Sequence, residues 1–493
     1  MKPKCNLLQS CLLGAVLLVL PVTVQAQFAY TNADGSIYGY STNSDDSVNI
    51  DSYTGPPWVV MIPTNINGMT VTSIGDYAFS GTTLINVFVP KSITNLYSTA
   101  FNECSSLTNI TVDAQNPAYS SLAGVLFDKN QMKLIDYPCG MVGSYTVPES
   151  VTSIGDFAFP FCLNLTNIII PDSVTNIGQY AFYACSGLVN FTIPTNVTTI
   201  GQYAFADCAG LTNIFIPSSV TNIGIVAFGY CPLNAIIVAT NNPAYSSVAG
   251  VLFDSSQTTL VEFPSGKAGT YFNPKGYTIP DGVIRIGDWA FAGCSLINIF
   301  IPNSVTRIGS GAFDECTRLA NLTIPDSVIN IGSGAFEATS LANIIIPASV
   351  TTLGWFGSCP NLRSVYFQGN APGQGNGIPL LSFLEDATAY YLPGTTGWAE
   401  YFQITSLPTV LWNPQAQTGD ENFGVLSNQF GFNITGSSNL VVVVEACTNL
   451  ANPVWTPVAT NTLNAFIGTN GMSYFSDPRW TNYPSRFYGF SWP

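Results

Sequence analysis

The sequence predicts a β-rich solenoid of short parallel strands with minor helical turns, followed by a small all-β, sandwich-like domain. Three observations carry that prediction. The chain is 493 residues long, too many for one ordinary core, so several domains or a repeat array are expected. A near-identical sentence recurs, as in IPDSVTNIGQYAFYACSGLVNFTIP from Ile170 and TNVTTIGQYAFADCAGLTNIFIP directly after it. From Asn413 the sentence stops, and short apolar stretches separated by turn residues take over.

The repeated unit reads P-x-x-V-T-x-I-G-x-x-A-F-x-x-C-x-x-L-x-N-I-x-I. Its opening prolines are Pro63, Pro90, Pro148, Pro171, Pro194, Pro217, Pro280, Pro302, Pro325 and Pro347, and contiguous units are spaced by 22 or 23 residues. Self-similarity at such a period is the signature of a solenoid. Each unit offers two short strands, V-T-x-I and L-x-N-I-x-I. The G-x-x-A-F-x-x-C between them is too short for more than a turn or two of helix. Stacked coils place like residues about 4.8 Å apart, as parallel strands require. No unit can bury its apolar side chains alone, so at least about three must fold together. The phenylalanine of the Ala-Phe pair recurs at Phe79, Phe101, Phe159, Phe182, Phe205, Phe228, Phe291, Phe313 and Phe336. A spine of buried rings, each contributing on the order of 1.5–3 kcal/mol before entropy, is the expected source of cohesion.

This unit resembles the bacterial BspA-type leucine-rich repeats over most of the chain, from about Phe28 to Trp412. INGMTVTSIGDYAF (Ile66 to Phe79) looks like that family's N-terminal entry. Two longer units, NPAYSSLAGVLFD from Asn116 and NPAYSSVAGVLFD from Asn242, match its style and differ only at Leu122 against Val248, which points to a duplicated block. The resemblance implies a β-rich leucine-rich repeat solenoid and adhesion, since members of that family are associated with binding extracellular matrix proteins.

The expected organisation follows. Residues 1–26 read as a signal peptide: Lys2 and Lys4 precede an apolar run from Leu12 to Leu20, and Val24-Gln25-Ala26 offers a small-residue cleavage site. That run is short for a bilayer span and no second one follows, so the mature chain is expected to have no integral membrane span and to be secreted or held at the cell surface. Residues 27–62 form an N-terminal β cap, 63–368 the solenoid, 369–412 a linker and C-terminal cap, and 413–493 the all-β module.

Composition limits the chemistry. Only 8% of residues are charged and the net charge is −15, which disfavours nucleic acid and anionic membranes for want of a basic patch. Histidine is absent. That removes Ser-His-Asp and Cys-His nucleophile systems and every His-ligated metal. No phosphate loop, G-x-S-x-G elbow or calcium loop occurs, and no cofactor or metal is expected. An enzyme would have to use carboxylates in the tail, Asp420, Glu421, Glu445 and Asp477, a pair of them about 5–9.5 Å apart across a cleft in the case of a glycosidase.

Eight cysteines share one repeat position: Cys104, Cys162, Cys185, Cys208, Cys231, Cys294, Cys316 and Cys359, with Thr339 in the unit from Pro325. A buried ladder of small, weakly polar side chains explains them better than a metal string or a disulfide chain. Stacked coils hold Cβ atoms near the rung spacing, beyond the ~3.8 Å a disulfide wants. Cys139 has Ser265 as its counterpart, which favours a structural role. Cys447 is either free or paired with Cys139.

Asparagine recurs in the second strand at Asn86, Asn109, Asn167, Asn190, Asn213, Asn298, Asn321 and Asn343. The residues one and three places later are apolar, so period-two alternation turns Asn outward. A self-satisfying amide ladder and a binding face are both open readings. The outward position two residues after each Asn varies: Phe88, Thr111, Ile169, Thr192, Phe215, Phe300, Thr323 and Ile345, with Tyr366 at the same place after Ser364. An outward apolar stripe marks an interface unless a flanking loop or another chain's sheet covers it. The predicted ligand-binding set is therefore Phe88, Asn109, Ile169, Asn190, Phe215, Phe300, Asn321, Ile345 and Tyr366, and the expected partner an extracellular protein or polysaccharide. A second reading has the stripe pairing with copies of itself in a surface matrix.

Overall fold

A computed structural model describes residues 28–268, 276–356, 359–374, 387–405, 407–437, 440–463 and 471–492. The proposed signal peptide and part of the Gly/Pro linker lie outside them. The chain forms two compact units, Met1–Met141 and Val142–Pro493.

In the N-terminal unit, Phe28–Thr31, Ile37–Thr42 and Val48–Thr54 form an antiparallel meander. The third strand pairs in parallel with Met69–Ile74, which pairs with Asn95–Leu96. A second parallel sheet runs Val59–Met61, Asn86–Val89, Asn109–Val112, so the first parallel rung precedes Pro63.

In the C-terminal unit the V-T-x-I strands shrink to two-residue rungs. Ser153–Ile154, Asn176–Ile177, Thr199–Ile200 and Asn222–Ile223 stack in register. So do Arg285–Ile286, Arg307–Ile308, Asn330–Ile331 and Thr352–Leu353. The L-x-N-I-x-I strands make the facing sheets, for example Asn213–Ile216 on Ala235–Val238 and Asn343–Ile346 on Ser364–Phe367. That last sheet continues through Thr388–Tyr391 and Thr409–Leu411, with the helix Trp398–Thr405 between them.

The ring spine exists. Phe159, Phe182, Phe205 and Phe228 stack at 4.9, 5.2 and 5.6 Å between centroids. Phe263, Phe291, Phe313, Phe336 and Phe356 follow at 5.1, 5.3, 5.8 and 5.5 Å. Phe263 and Phe356 keep the spine going although neither sits in an Ala-Phe pair. In the N-terminal unit Tyr53 plays that part against Phe79, at 5.2 Å.

Each G-x-x-A-F-x-x-C turn bends through left-handed residues. Tyr180 and Ala184, or Tyr203 and Asp207, have φ of 53–60°. Gly311 and Gly334 fill the first of these places in later coils, where glycine meets no steric cost.

The cysteine ladder does more than fill space. Each free thiol donates to the carbonyl of the spine residue one coil back. Cys104 reaches Phe79 O at 3.0 Å, Cys185 Phe159 O at 3.0 Å, Cys208 Phe182 O at 3.1 Å and Cys231 Phe205 O at 2.9 Å. Cys316 reaches Phe291 O at 3.2 Å, Cys359 Phe336 O at 3.0 Å, and Cys294 Phe263 O at a longer 3.8 Å. Burial pushes these thiols up, Cys185 to about 12 and Cys104 and Cys359 to about 11, so they are not nucleophiles at neutral pH. Cys162 departs from the expectation of a free ladder. It is disulfide-bonded, as is Cys139. The rung-spacing argument against disulfides holds between ladder positions, whereas Cys139 occupies an off-rung place after the strand Lys133–Asp136. Cys447 is a free, buried thiol, so no Cys139–Cys447 bond forms.

The tail is two antiparallel sheets. One contains Gln415–Gln417, Gly424–Leu426, Gln429–Gly436 and Gly471–Asp477, the other Val441–Cys447, Thr456–Thr462 and Phe487–Ser491. Phe432, Ile434, Val442, Val444 and Phe475 fill the space between them. The motif SDPRWTNYPSRFY builds a buried charge clamp. Arg486 Nε lies 2.7 Å from Asp477 Oδ2, with side chains only 8% and 3% exposed. Tyr488 donates to the same oxygen at 3.0 Å, and the Arg479 N–H to Asp477 Oδ1 at 2.8 Å. The Arg486 guanidinium lies 4.2 Å from the Tyr483 ring centroid. Removing one partner of such a pair strands a buried charge, so Arg486→Ala is expected to cost the tail roughly 3–5 kcal/mol. Urea unfolding followed by the tail's tryptophan fluorescence measures this, and a loss below about 1 kcal/mol, the scale of an exposed pair, contradicts it.

Candidate recognition face

The outward column is built by strand alternation alone. In Asn213–Ile216 and Asn343–Ile346 the first and third residues are exposed and the second and fourth buried. The repeat fixes the inward residues because the core demands them, and leaves the outward third position free to vary.

Phe88 and Asn109 belong to the N-terminal unit. Phe88 is half-buried, aligned with exposed Met61 on one side and Thr111 on the other. Asn109 Nδ2 donates to Thr111 Oγ1 at 2.9 Å, within its own strand. The other seven predicted residues lie in the C-terminal unit. Asn190 and Asn321 are exposed. Ile169, Phe215 and Phe300 are 57, 52 and 53% exposed and Ile345 38%, whereas Tyr366 is 2% exposed.

Tyr366 thus departs from the expected stripe. It is in register with Ile345 and with Tyr390, but the tail's end lies over it. The Trp492 centroid is 4.6 Å from the Tyr366 ring, and Tyr390 stacks at 5.0 Å. Tyr366, Tyr390 and Trp412 join the tail's own core. The open column therefore stops at Ile345. Sequence reading also missed a member. Ile237, 48% exposed, sits beside Phe215, in a strand where Ala235 replaces the marker asparagine.

No charged residue occurs in the strands carrying Ile169, Phe215, Ile237, Phe300 and Ile345. The face offers apolar area, amides and threonine hydroxyls, and not ion pairs. Among the described residues no group of three or more His, Cys, Asp or Glu is placed to hold a metal, and no helix is long and apolar enough to cross a membrane. Of the tail acids, Asp477 is engaged by Arg486 and Asp420 Oδ2 accepts from Asn433 Nδ2 at 2.8 Å.

A solenoid of short parallel rungs with an apolar ring spine defines a leucine-rich repeat protein of the β-rich kind. The profile of the BspA type leucine rich repeat region matches residues 64–142, 136–257 and 270–373, in six copies. This is over half the chain, and the chain belongs to that family. Among solved structures it is similar to a leucine-rich repeat protein from Eubacterium ventriosum (24% identity, 74% of this chain and 84% of that one, TM-score 0.46). It is also similar to the pneumococcal vaccine antigen PcpA (17% identity, 78% and 99%, TM-score 0.43). A leucine-rich cell surface protein from Faecalibacterium prausnitzii matches at 26% identity (70% and 95%, TM-score 0.38). No curated protein matches the chain.

Proposed function

We propose that this is an exported protein, secreted or held at the cell surface, that binds another protein or a polysaccharide through the outward column of its C-terminal unit. The observation that carries the reading is the half-exposed apolar series Ile169, Phe215, Ile237, Phe300 and Ile345. These side chains stand at the outward position two residues after the asparagine or its counterpart, where the repeat imposes no packing demand. Phe215 and Ile237 are direct neighbours, and large exposed apolar groups recurring at one repeat position are a mark of an interface. Membership of a family of bacterial repeat proteins supports the surface location. The reading is of a binder and not of an enzyme, since function has to be argued from a site and the column supplies contact area without a nucleophile or an acid–base pair.

The test is a binding screen of the whole chain against immobilised matrix proteins and polysaccharides, beside a variant with Ile169, Phe215, Phe300 and Ile345 changed to Ser. All four are surface groups, so the variant is expected to keep its melting temperature within a few degrees. Loss of at least about tenfold in affinity, or 1.4 kcal/mol, supports the column as the recognition face. Unchanged binding by a folded variant rejects it. Concentration-dependent sedimentation that the variant abolishes would instead favour pairing between copies.

A further inference from the structure

The tail carries a second surface with different chemistry. Its outer sheet face holds a shallow cleft of about 380 Å³ lined by Asn422, Leu426, Ser427, Gln429, Asn433 and Tyr474. None of the six is charged, in a chain whose net charge is −15. That volume is at the small end of ligand clefts.

The cleft is built, not incidental. Tyr474 stands opposite Asn433 on the neighbouring strand, and Ser476 opposite Gly431. A Cβ at Gly431 would collide with the Tyr474 Oη and Cζ. The glycine therefore leaves room for the phenol ring to lie across the sheet, while the residue stays 43% exposed. Asn433 is nine-tenths buried, and its amide is fixed by the Asp420 carboxylate at 2.8 Å. Its neighbour Gln417 donates to Thr435 Oγ1 at 2.6 Å. The two-residue turn at Ser427 and Asn428, with φ of 49° and 62°, holds one wall as a tight hairpin.

We propose that this cleft binds a neutral glycan. Tyr474 supplies a flat ring for the C–H face of a sugar, and the amides and hydroxyl of Asn422, Gln429 and Ser427 supply donors and acceptors for its hydroxyls, while Asn433, with Nδ2 held by Asp420, adds its Oδ1 as an acceptor. An anionic ligand would find no cation in the lining. A cationic one would find only the Asp420 carboxylate behind Asn433, already engaged. An apolar peptide would meet amides on most sides and leave them unpaired, at a desolvation cost.

The test is affinity electrophoresis of the whole chain through gels containing dextran, laminarin, xylan or galactomannan, with polygalacturonate as the anionic control. The native protein is expected to be retarded in at least one neutral gel. Tyr474→Ala should weaken that retention about tenfold or more, the scale of one lost aromatic stack with its hydrogen bond, while Tyr474→Phe keeps most of it. Phe215→Ser on the solenoid should leave it unchanged, which separates this cleft from the recognition column. Far-UV and near-UV spectra check that each variant is folded. Free migration in all four neutral gels, retention only by polygalacturonate, or full retention by folded Tyr474→Ala would each overturn the proposal.

Discussion

Replacing Asn242 with alanine is expected to destabilise the C-terminal unit by about 3 kcal/mol, because it strips a partner from the buried carbonyls of Pro217 and Val220 and from the part-buried N–H groups of Ala244 and Tyr245, where a buried group left unsatisfied costs roughly 1–3 kcal/mol. The Asn242 side chain is buried and spans two coils. Its Nδ2 donates to the carbonyls of Pro217 and Val220 at 2.8 and 2.9 Å, one coil back. Its Oδ1 accepts from the N–H groups of Ala244 and Tyr245 at 2.9 and 2.8 Å. Two more side chains of the same motif reach back. Tyr245 Oη accepts from Ile223 N and Ser247 Oγ from Val238 N. Ordinary units close the same valine carbonyl with serine, as Ser173 does to Val151 O at 2.7 Å. Asn116 repeats the four bonds in the N-terminal unit, to Pro90, Ile93, Ala118 and Tyr119, so Asn116→Ala is an internal replicate. Equilibrium unfolding gives the magnitude, and hydrogen exchange should show lost protection at Ala244 and Tyr245. A cost below about 1 kcal/mol, the net worth of a single ordinary hydrogen bond, would mean that water replaces the amide.

The second large effect is on pH dependence. Asp136 and Glu262 occupy equivalent places in the two long units and are both buried. Burial pushes each carboxyl up to about 8, and in Glu262 an accepted Phe228 N–H opposes that only partly. The folded chain therefore keeps these protons at pH values where the unfolded chain has released them. Stability from this source is whole at acid pH, below the ordinary carboxylate range. It is lost progressively as pH rises to about 8, above which the term is constant. Each tenfold difference in proton affinity is worth about 1.4 kcal/mol, so the loss amounts to several kcal/mol per carboxyl. Glu262→Gln keeps the size and an acceptor for Phe228 N–H but not the titration. It is expected to melt higher than the native chain at pH 8.5 and to flatten the melting profile between pH 5 and 9. An unchanged slope would show that Glu262 is not the group responsible.

What the sequence made legible was whatever the repeat enforces. The ring spine, the inward isoleucines and the outward asparagines all follow from one period and one alternation, and each is set by contacts within a coil and its neighbours. What it hid depends on chain brought back from afar. Nothing near Tyr366 announces that Trp492 will cover it. Cys162 looks like its seven ladder mates, and only the off-rung Cys139 hints at other sulfur chemistry. Ile237 escaped because Ala235 erased the local marker. The serine and asparagine bonds between coils were hidden differently, since they occupy positions that read as variable in the P-x-x-V pattern.

The stacked rungs from Ser153 to Leu353 also carry a mechanical meaning. Within each run of short units, coils are joined to their neighbours by a recurring set of backbone bonds together with side-chain bonds such as Cys185 to Phe159 O and Ser173 to Val151 O. Tension applied along such a stack loads the junctions in series, so the weakest yields first and the rest hold. Each released coil of 22 or 23 residues feeds out roughly 70 Å of slack, which lowers the pull before the next one opens. The Asn242 clamp, with its extra bonds across one junction, is a natural stop in that sequence. A stack made this way is expected to yield to tension in steps and to rewind when the load falls.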